Sequence, residues 1–228
     1  MKLLRDTRPE SWSLVFSAFS AAYGVGLLPL LALPFLISAI IADLGLNEAQ
    51  AGYLMSAEFL LTMVASLIVA PLMGRAPRRT LALVGALVAI LANLGSAMVT
   101  EVTTLAILRC VAGAGAGLAL ACGNACVSSA KDPDNIAGYM NVLFVALMIV
   151  VMLVFARTMA SSGLSGLYYS LAVTQAVMVL FMLKMPQRAA VTEAMKQAQS
   201  ILPNSKMLSA AAVCMMLATF LFSMRDTM

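Results

Sequence analysis

The stretch IAGYMNVLFVALMIVVMLVFARTMA, residues 136–160, holds a single charge, Arg157, in 25 positions. As an α-helix it would run about 37 Å at 1.5 Å per residue, and roughly 20 apolar residues suffice to cross the hydrocarbon core of a bilayer. It lacks the alternation of polar and apolar side chains that a strand of a membrane barrel needs. Six further segments read the same way, at about 14–41, 51–73, 80–99, 103–129, 165–185 and 207–224. The whole chain agrees with them: 62% of its 228 residues are hydrophobic, 11% are charged and the mean hydropathy is +0.98. A soluble domain is about half apolar and a quarter charged. No water-soluble shape of this size hides so much apolar side chain, so the solvent is lipid. The expected fold class is all-α, a polytopic transmembrane helix bundle embedded in the lipid bilayer.

A net charge of +4 would suggest nucleic acid for a soluble protein, but here the placement of the charges decides, and no nucleic-acid partner is expected. Lys2, Arg5 and Arg8 precede the first apolar run, and Arg75, Arg78 and Arg79 form a basic cluster between the second and third. Lys131 follows the fourth, and Lys184, Arg188, Lys196 and Lys206 lie between the sixth and seventh. The alternate loops carry Asp43, Glu48 and Glu101, with Arg157 as the basic exception. Cytoplasmic loops are the basic ones. The N-terminus is therefore expected in the cytoplasm of a bacterial-type inner (plasma) membrane, as a retained helix rather than a cleaved signal.

Three domains are expected: a six-helix bundle over 1–185, a cytoplasmic linker over 186–206 between Pro186 and Pro203, and a seventh helix over 207–228 that starts a second bundle. Pro29 and Pro34 predict a kink in the overlong first span, and Trp12 sits where an interfacial anchor belongs. A weak internal repeat runs beneath this layout. At an offset of 86 residues Ala51-Gly52-Tyr53-Leu54 meets Ala137-Gly138-Tyr139-Met140, and span 1 falls on span 4 and span 3 on span 6. Three spans per copy is an odd number, so the copies face opposite ways, the inverted three-plus-three repeat found in secondary transporters.

Three stretches resemble the major facilitator superfamily. Leu44-Gly45-Leu46-Asn47-Glu48-Ala49-Gln50-Ala51-Gly52 is similar to the family's loop into the second span. Ala70-Pro71-Leu72-Met73-Gly74-Arg75-Ala76-Pro77-Arg78-Arg79 stands in the place of its loop signature, with the family's aspartate falling on Gly74 and the basic residues kept. Arg109-Cys110-Val111-Ala112-Gly113-Ala114-Gly115 is similar to its fourth-span arginine-and-glycine motif. The fifth span has Gly138 as its one glycine and lacks the glycine-proline signature of the family's drug antiporters. The resemblance implies a secondary transporter for a small solute, of which this chain is the N-terminal six-helix half plus a seventh span. A partial chain is expected, since a complete member needs about five more spans, with pairing of two copies as the alternative.

Charges inside spans are where membrane chemistry concentrates, because each costs ~3 kcal/mol or more unless paired or wet. Glu58 lies seven residues into span 2 and Arg109 about six into span 4, counted from the same side. Both then sit roughly 10 Å deep. An ion pair or a shared wet cavity is expected, with Glu58 as the proton-titratable member and protons as the coupling ion. Buried polar groups are expected at Tyr23, Asn93, Asn124, Asn141 and Gln175. By the resemblance, spans 1 and 4 line the substrate path, which makes Tyr23 and Asn124 candidate substrate contacts. Arg109, Gly113, Ala116, Leu120 and Asn124 recur at helical spacing, and Gly113 with Gly117 forms a small-xxx-small pair for close helix packing.

Other chemistries find little support. The run from Gly113 to Gly117 has neither a preceding strand nor a following lysine with a hydroxyl residue, so it is no phosphate loop. The chain has no histidine, and its four cysteines, Cys110, Cys122, Cys126 and Cys214, all lie in apolar runs as small packing residues. No metal site, no cofactor and no enzyme activity are expected. The alternative function is a non-transporting membrane scaffold or regulator.

Overall fold

The computed structural model describes residues 11–74 and 76–187; Arg75, the stretch 188–206 of the expected linker and the expected seventh span at 207–228 lie outside the described residues. The described chain is helical throughout its membrane segments. Span 1 is assembled from pieces: Trp12–Phe19 is α-helical, Ser20–Gly26 is a π-helix, and Leu28–Leu31 and Leu33–Leu44 are α-helical again. Pro29 and Pro34 each stand second in the pieces they occupy, where a missing N–H does least harm. The expected kink is thus a pair of breaks, at Leu27 and at Ala32.

Span 1 stops at Gly45, whose φ of 65° is open to glycine and strained for other residues. Asn47 then opens span 2: its side chain accepts from the Gln50 N–H at 2.8 Å while the Gln50 side chain accepts from the Asn47 N–H at 3.1 Å. This reciprocal cap satisfies two donors the helix cannot. Span 2 is the helix Glu48–Val69, continued as a tighter turn over Ala70–Gly74. Span 3 is Arg78–Ala97 and span 4 is Val102–Ser128.

The last continuous helix runs Pro133–Met182, 50 residues. At 1.5 Å per residue it would measure about 75 Å, more than twice the hydrocarbon thickness. The backbone of Gly163 (φ 57°, ψ −144°) breaks it. Beyond the break the chain doubles back, so that the Ser170 hydroxyl donates to Thr158 Oγ1 at 3.1 Å. Residues 133–162 and 164–182 are therefore two antiparallel helices, spans 5 and 6. Asp43, at the end of span 1, accepts from the Leu164 N–H at 2.6 Å and so caps span 6 from outside.

Four of the described helices are long and apolar enough to cross a membrane, the last of them counted as one. Their outward faces are apolar, with Leu60, Leu67 and Ile68 on span 2 and Val142, Leu153 and Leu180 on spans 5 and 6 all exposed, as lipid-facing helices require. Shifted by 86 residues, span 2 lands within residues 133–162 and span 3 on residues 164–183, so the helix boundaries keep the spacing of the repeat.

Span 4 lies at the centre of the bundle, and glycines on three of its sides explain how. A Cβ on Gly113 or Gly117 would collide with the carbonyl oxygens of Glu58 and Thr62 on span 2. One on Gly115 would lie 2.5 Å from the Gly85 carbonyl on span 3, and one on Gly123 2.7 Å from the Ala22 nitrogen on span 1. Backbones pack this closely only where side chains are missing.

The basic end of the bundle is tied together by one side chain. Arg78 is buried and donates from Nε to Met73 O at 2.9 Å and from Nη1 to Ala125 O at 2.8 Å and Ser129 Oγ at 2.6 Å. Ala125 is in the last turn of span 4, where the helix dipole favours a cation. Arg79 is half-buried and donates to Leu183 O at 2.9 Å, which holds the end of span 6 to span 3. The cluster expected at 75, 78 and 79 is thus divided, with Arg78 turned into the protein and Arg79 lying across its surface.

Candidate functional site

Glu58 and Arg109 meet. Both side chains are fully buried, and Arg109 Nη1 stands 3.4 Å from Glu58 Oε1. Span 2 supplies the acid and span 4 the base, at the level where Gly113 brings the two backbones together. Arg109 has further partners, two of them closer. Its Nη2 donates to Ser96 Oγ at 2.7 Å, to Asn93 Oδ1 at 2.8 Å and to Ala92 O at 3.4 Å, all on span 3. From span 6, the ring of Tyr168 stacks with its centroid 4.3 Å from the guanidinium carbon, within reach of a cation–π attraction.

The two members of the pair are therefore held unequally. The guanidinium is fixed by neutral dipoles and an aromatic face, whereas the Glu58 carboxylate has the one long contact. Glu58 Oε2, Arg109 Nε and the Tyr168 hydroxyl have no hydrogen-bond partner among the described residues, although all are buried. Buried polar groups are ordinarily satisfied, and three unsatisfied atoms in one cluster set it apart from the packing around it. The only side-chain bond near Glu58 from its own helix is the Thr62 hydroxyl, which donates to the Glu58 backbone carbonyl at 2.9 Å and leaves the carboxylate alone.

Asn93 and Gln175, expected as buried polar groups, are both fully buried and bonded to each other: Asn93 Nδ2 donates to Gln175 Oε1 at 2.8 Å. Gln175 Nε2 in turn reaches Val25 O, in the π-helical part of span 1, at 3.4 Å.

Asn124 and Asn141 are corrections. Both are exposed, Asn141 even though Tyr23 of span 1 reaches its side chain. Helical spacing carried the reading from Arg109 through Gly113 to Asn124, but the line leaves the packed interior between Ala116, which is buried, and Asn124. Tyr23 is half-buried, and its hydroxyl donates to Asn141 Oδ1 over a long 3.4 Å. Tyr23 and Asn124 are thus remote in bonding from the Arg109 cluster.

Ser96 and Tyr168 were not singled out from sequence. Ser96 had a readable signal, since it follows Asn93 by three residues and so shares its helix face. Tyr168 had none, because an aromatic residue near a span end is ordinary. Cys122 and Cys126 are buried free thiols, and Cys122 packs its sulfur 3.6 Å from Met73 Sδ.

A comparison with curated proteins returns no match. The family model described as Major Facilitator Superfamily matches residues 13–225, nearly the whole chain. With its lipid-facing helices and the span-4 arginine packed against span 2, this chain belongs to the major facilitator superfamily, a family of integral-membrane transporters.

Proposed function

We propose that this chain serves the secondary transport of a small solute, with Glu58 taking up and releasing the coupling proton and Arg109 as the fixed cation beside it. The observation that carries the reading is the unequal grip on the pair. Arg109 is held by Ser96, Asn93, Ala92 O and the Tyr168 ring, and none of these contacts involves Glu58. The carboxylate can therefore change protonation without dismantling the site, and its second oxygen is open to receive the proton. The six-span unit supplies one of the two bundles that rock around a central site in such transporters.

Infrared difference spectroscopy of the protein in lipid tests the proton role without knowledge of the solute. A carboxylic acid C=O band that titrates is expected in the unaltered chain and should be missing from Glu58→Gln. A band that survives this substitution unchanged would assign the proton to another group.

The orientation proposed places the end bearing Arg78 and Arg79 in the cytoplasm of a bacterial-type plasma membrane, on the strength of the basic loops. Pro77 is exposed at that end. In a chain whose own cysteines are serine, Pro77→Cys is expected to react with an impermeant maleimide in inside-out vesicles and not in intact cells. Labelling from outside would invert the topology.

A further inference from the structure

The break in span 1 and the buried ion pair are joined by a chain of side chains with a consistent direction. An α-helix bonds the N–H of each residue to the carbonyl four residues earlier. Pro29 has no N–H, so the carbonyl of Val25 lacks the donor that position would give it. The next N–H does not step in: Leu30 N–H donates to Leu27 O at 3.1 Å. The side chain that reaches Val25 O is Gln175 Nε2 from span 6, at 3.4 Å.

Gln175 is itself the acceptor of a 2.8 Å bond from Asn93 Nδ2, and Asn93 Oδ1 accepts a 2.8 Å bond from Arg109 Nη2. Every donor in this series points away from the guanidinium and toward span 1. Hydrogen bonds aligned head to tail polarise one another, most strongly when a charge stands at one end. The last link is the longest, and it lies at the break, where a π-helix gives way at Leu27 to a new α-helical start. Such π segments are frequent where helices carry function.

We infer that Asn93 and Gln175 are positioning residues that couple the charge state of the Glu58–Arg109 pair to the break in span 1 at Val25–Pro29. The inference rests on the reading of the pair as the coupling site. When Glu58 is charged, it shares the Arg109 guanidinium. When it is neutral, the full charge acts on Asn93, and the pull is passed through Gln175 to the Val25 carbonyl. Tyr23, in the same π segment, moves with it. Among the described residues, the ionisable groups that face Glu58 are Arg109 from span 4 and Tyr168 from span 6.

The test is a cycle of substitutions read at residue 23. In a chain with Cys110, Cys122, Cys126 and Cys214 changed to serine and Tyr23→Cys added, the probe is the rate of reaction with N-ethylmaleimide in proteoliposomes. Glu58→Gln is expected to change that rate by about fivefold, in the range of ordinary site-to-site coupling. With Gln175→Met also present, the same substitution should change it less than twofold. An equal response in both backgrounds, or none in either, overturns the inference. Adding Pro29→Ala separates coupling from simple support, because it returns a backbone N–H to the Val25 carbonyl. If Gln175 only satisfies that carbonyl, Pro29→Ala with Gln175→Met regains both the thermal unfolding midpoint and the response to Glu58→Gln. Under the coupling role it regains the midpoint alone, and this pair also answers the question if Gln175→Met by itself does not fold. The labelling cycle does not depend on proton uptake, so a failed infrared titration and a failed cycle point to different errors.

Discussion

Arg109→Ala should be the most damaging single change to the described bundle, with an expected loss on the order of 3–5 kcal/mol, the usual cost of stripping one partner from a buried ion pair. The reason is the number of groups left behind. The Glu58 carboxyl would be stranded in a dry site with no cation, and Ser96 Oγ and Asn93 Oδ1 would each lose a bond shorter than 3 Å. The face of Tyr168 would lose its cation as well. Glu58→Gln should cost far less, because it gives up one 3.4 Å contact and retains a group that can accept from Arg109. The double variant Arg109→Ala with Glu58→Gln should regain part of the loss, since the stranded carboxyl is gone, and a double-mutant cycle isolates that share. Thermal or denaturant unfolding in detergent reads all three. A single Arg109→Ala variant as stable as the parent would mean that the pair is not formed in the protein.

Gly113→Ala and Gly117→Ala should follow closely, each near the top of the ~1–3 kcal/mol that overpacking costs. One methyl group is enough, because the atoms it would strike are the Glu58 and Thr62 carbonyl oxygens. A backbone cannot rotate away as a side-chain tip can, so span 2 must move off span 4. At Gly113 that movement also separates Glu58 from Arg109, so the substitution should disturb the pair as well as the packing. Gly138→Ala is the control. A Cβ there has nothing within 4 Å, and the change should be neutral or gain up to about 1 kcal/mol from helix propensity. Unfolding measurements on the three variants check the contrast, and equal effects at 113, 117 and 138 would sink the packing argument.

Much of the bundle was readable because lipid imposes a length on each crossing. The stretch 136–160 and its neighbours had to be helices, and Gly163 falls in the gap that hydropathy left between the fifth and sixth spans. The meeting of Glu58 and Arg109 was also readable, since two opposite charges at equal depth in lipid have strong reason to find each other. What depth does not supply is rotation about the helix axis. Asn93, Ser96 and Tyr168 reach Arg109 because of how spans 3 and 6 turn, and Asn124 and Asn141 point to the open side for the same reason. Helical spacing defines a face without naming what lies opposite. The basic loop misled in another way: three nearby cations look like one cluster, although Arg78 is drawn inward by the Met73 carbonyl at the end of span 2 and the Ala125 carbonyl in the last turn of span 4.

That inward turn bears on how the two ends of the bundle respond to acid. The acceptors around Arg78 are two carbonyls and a hydroxyl, none of which gains or loses a proton at any physiological acidity. A clasp made with an aspartate at position 74 would loosen as the surrounding fluid acidified. With Gly74 there instead, the fastening at this end should hold equally well in acid and neutral surroundings.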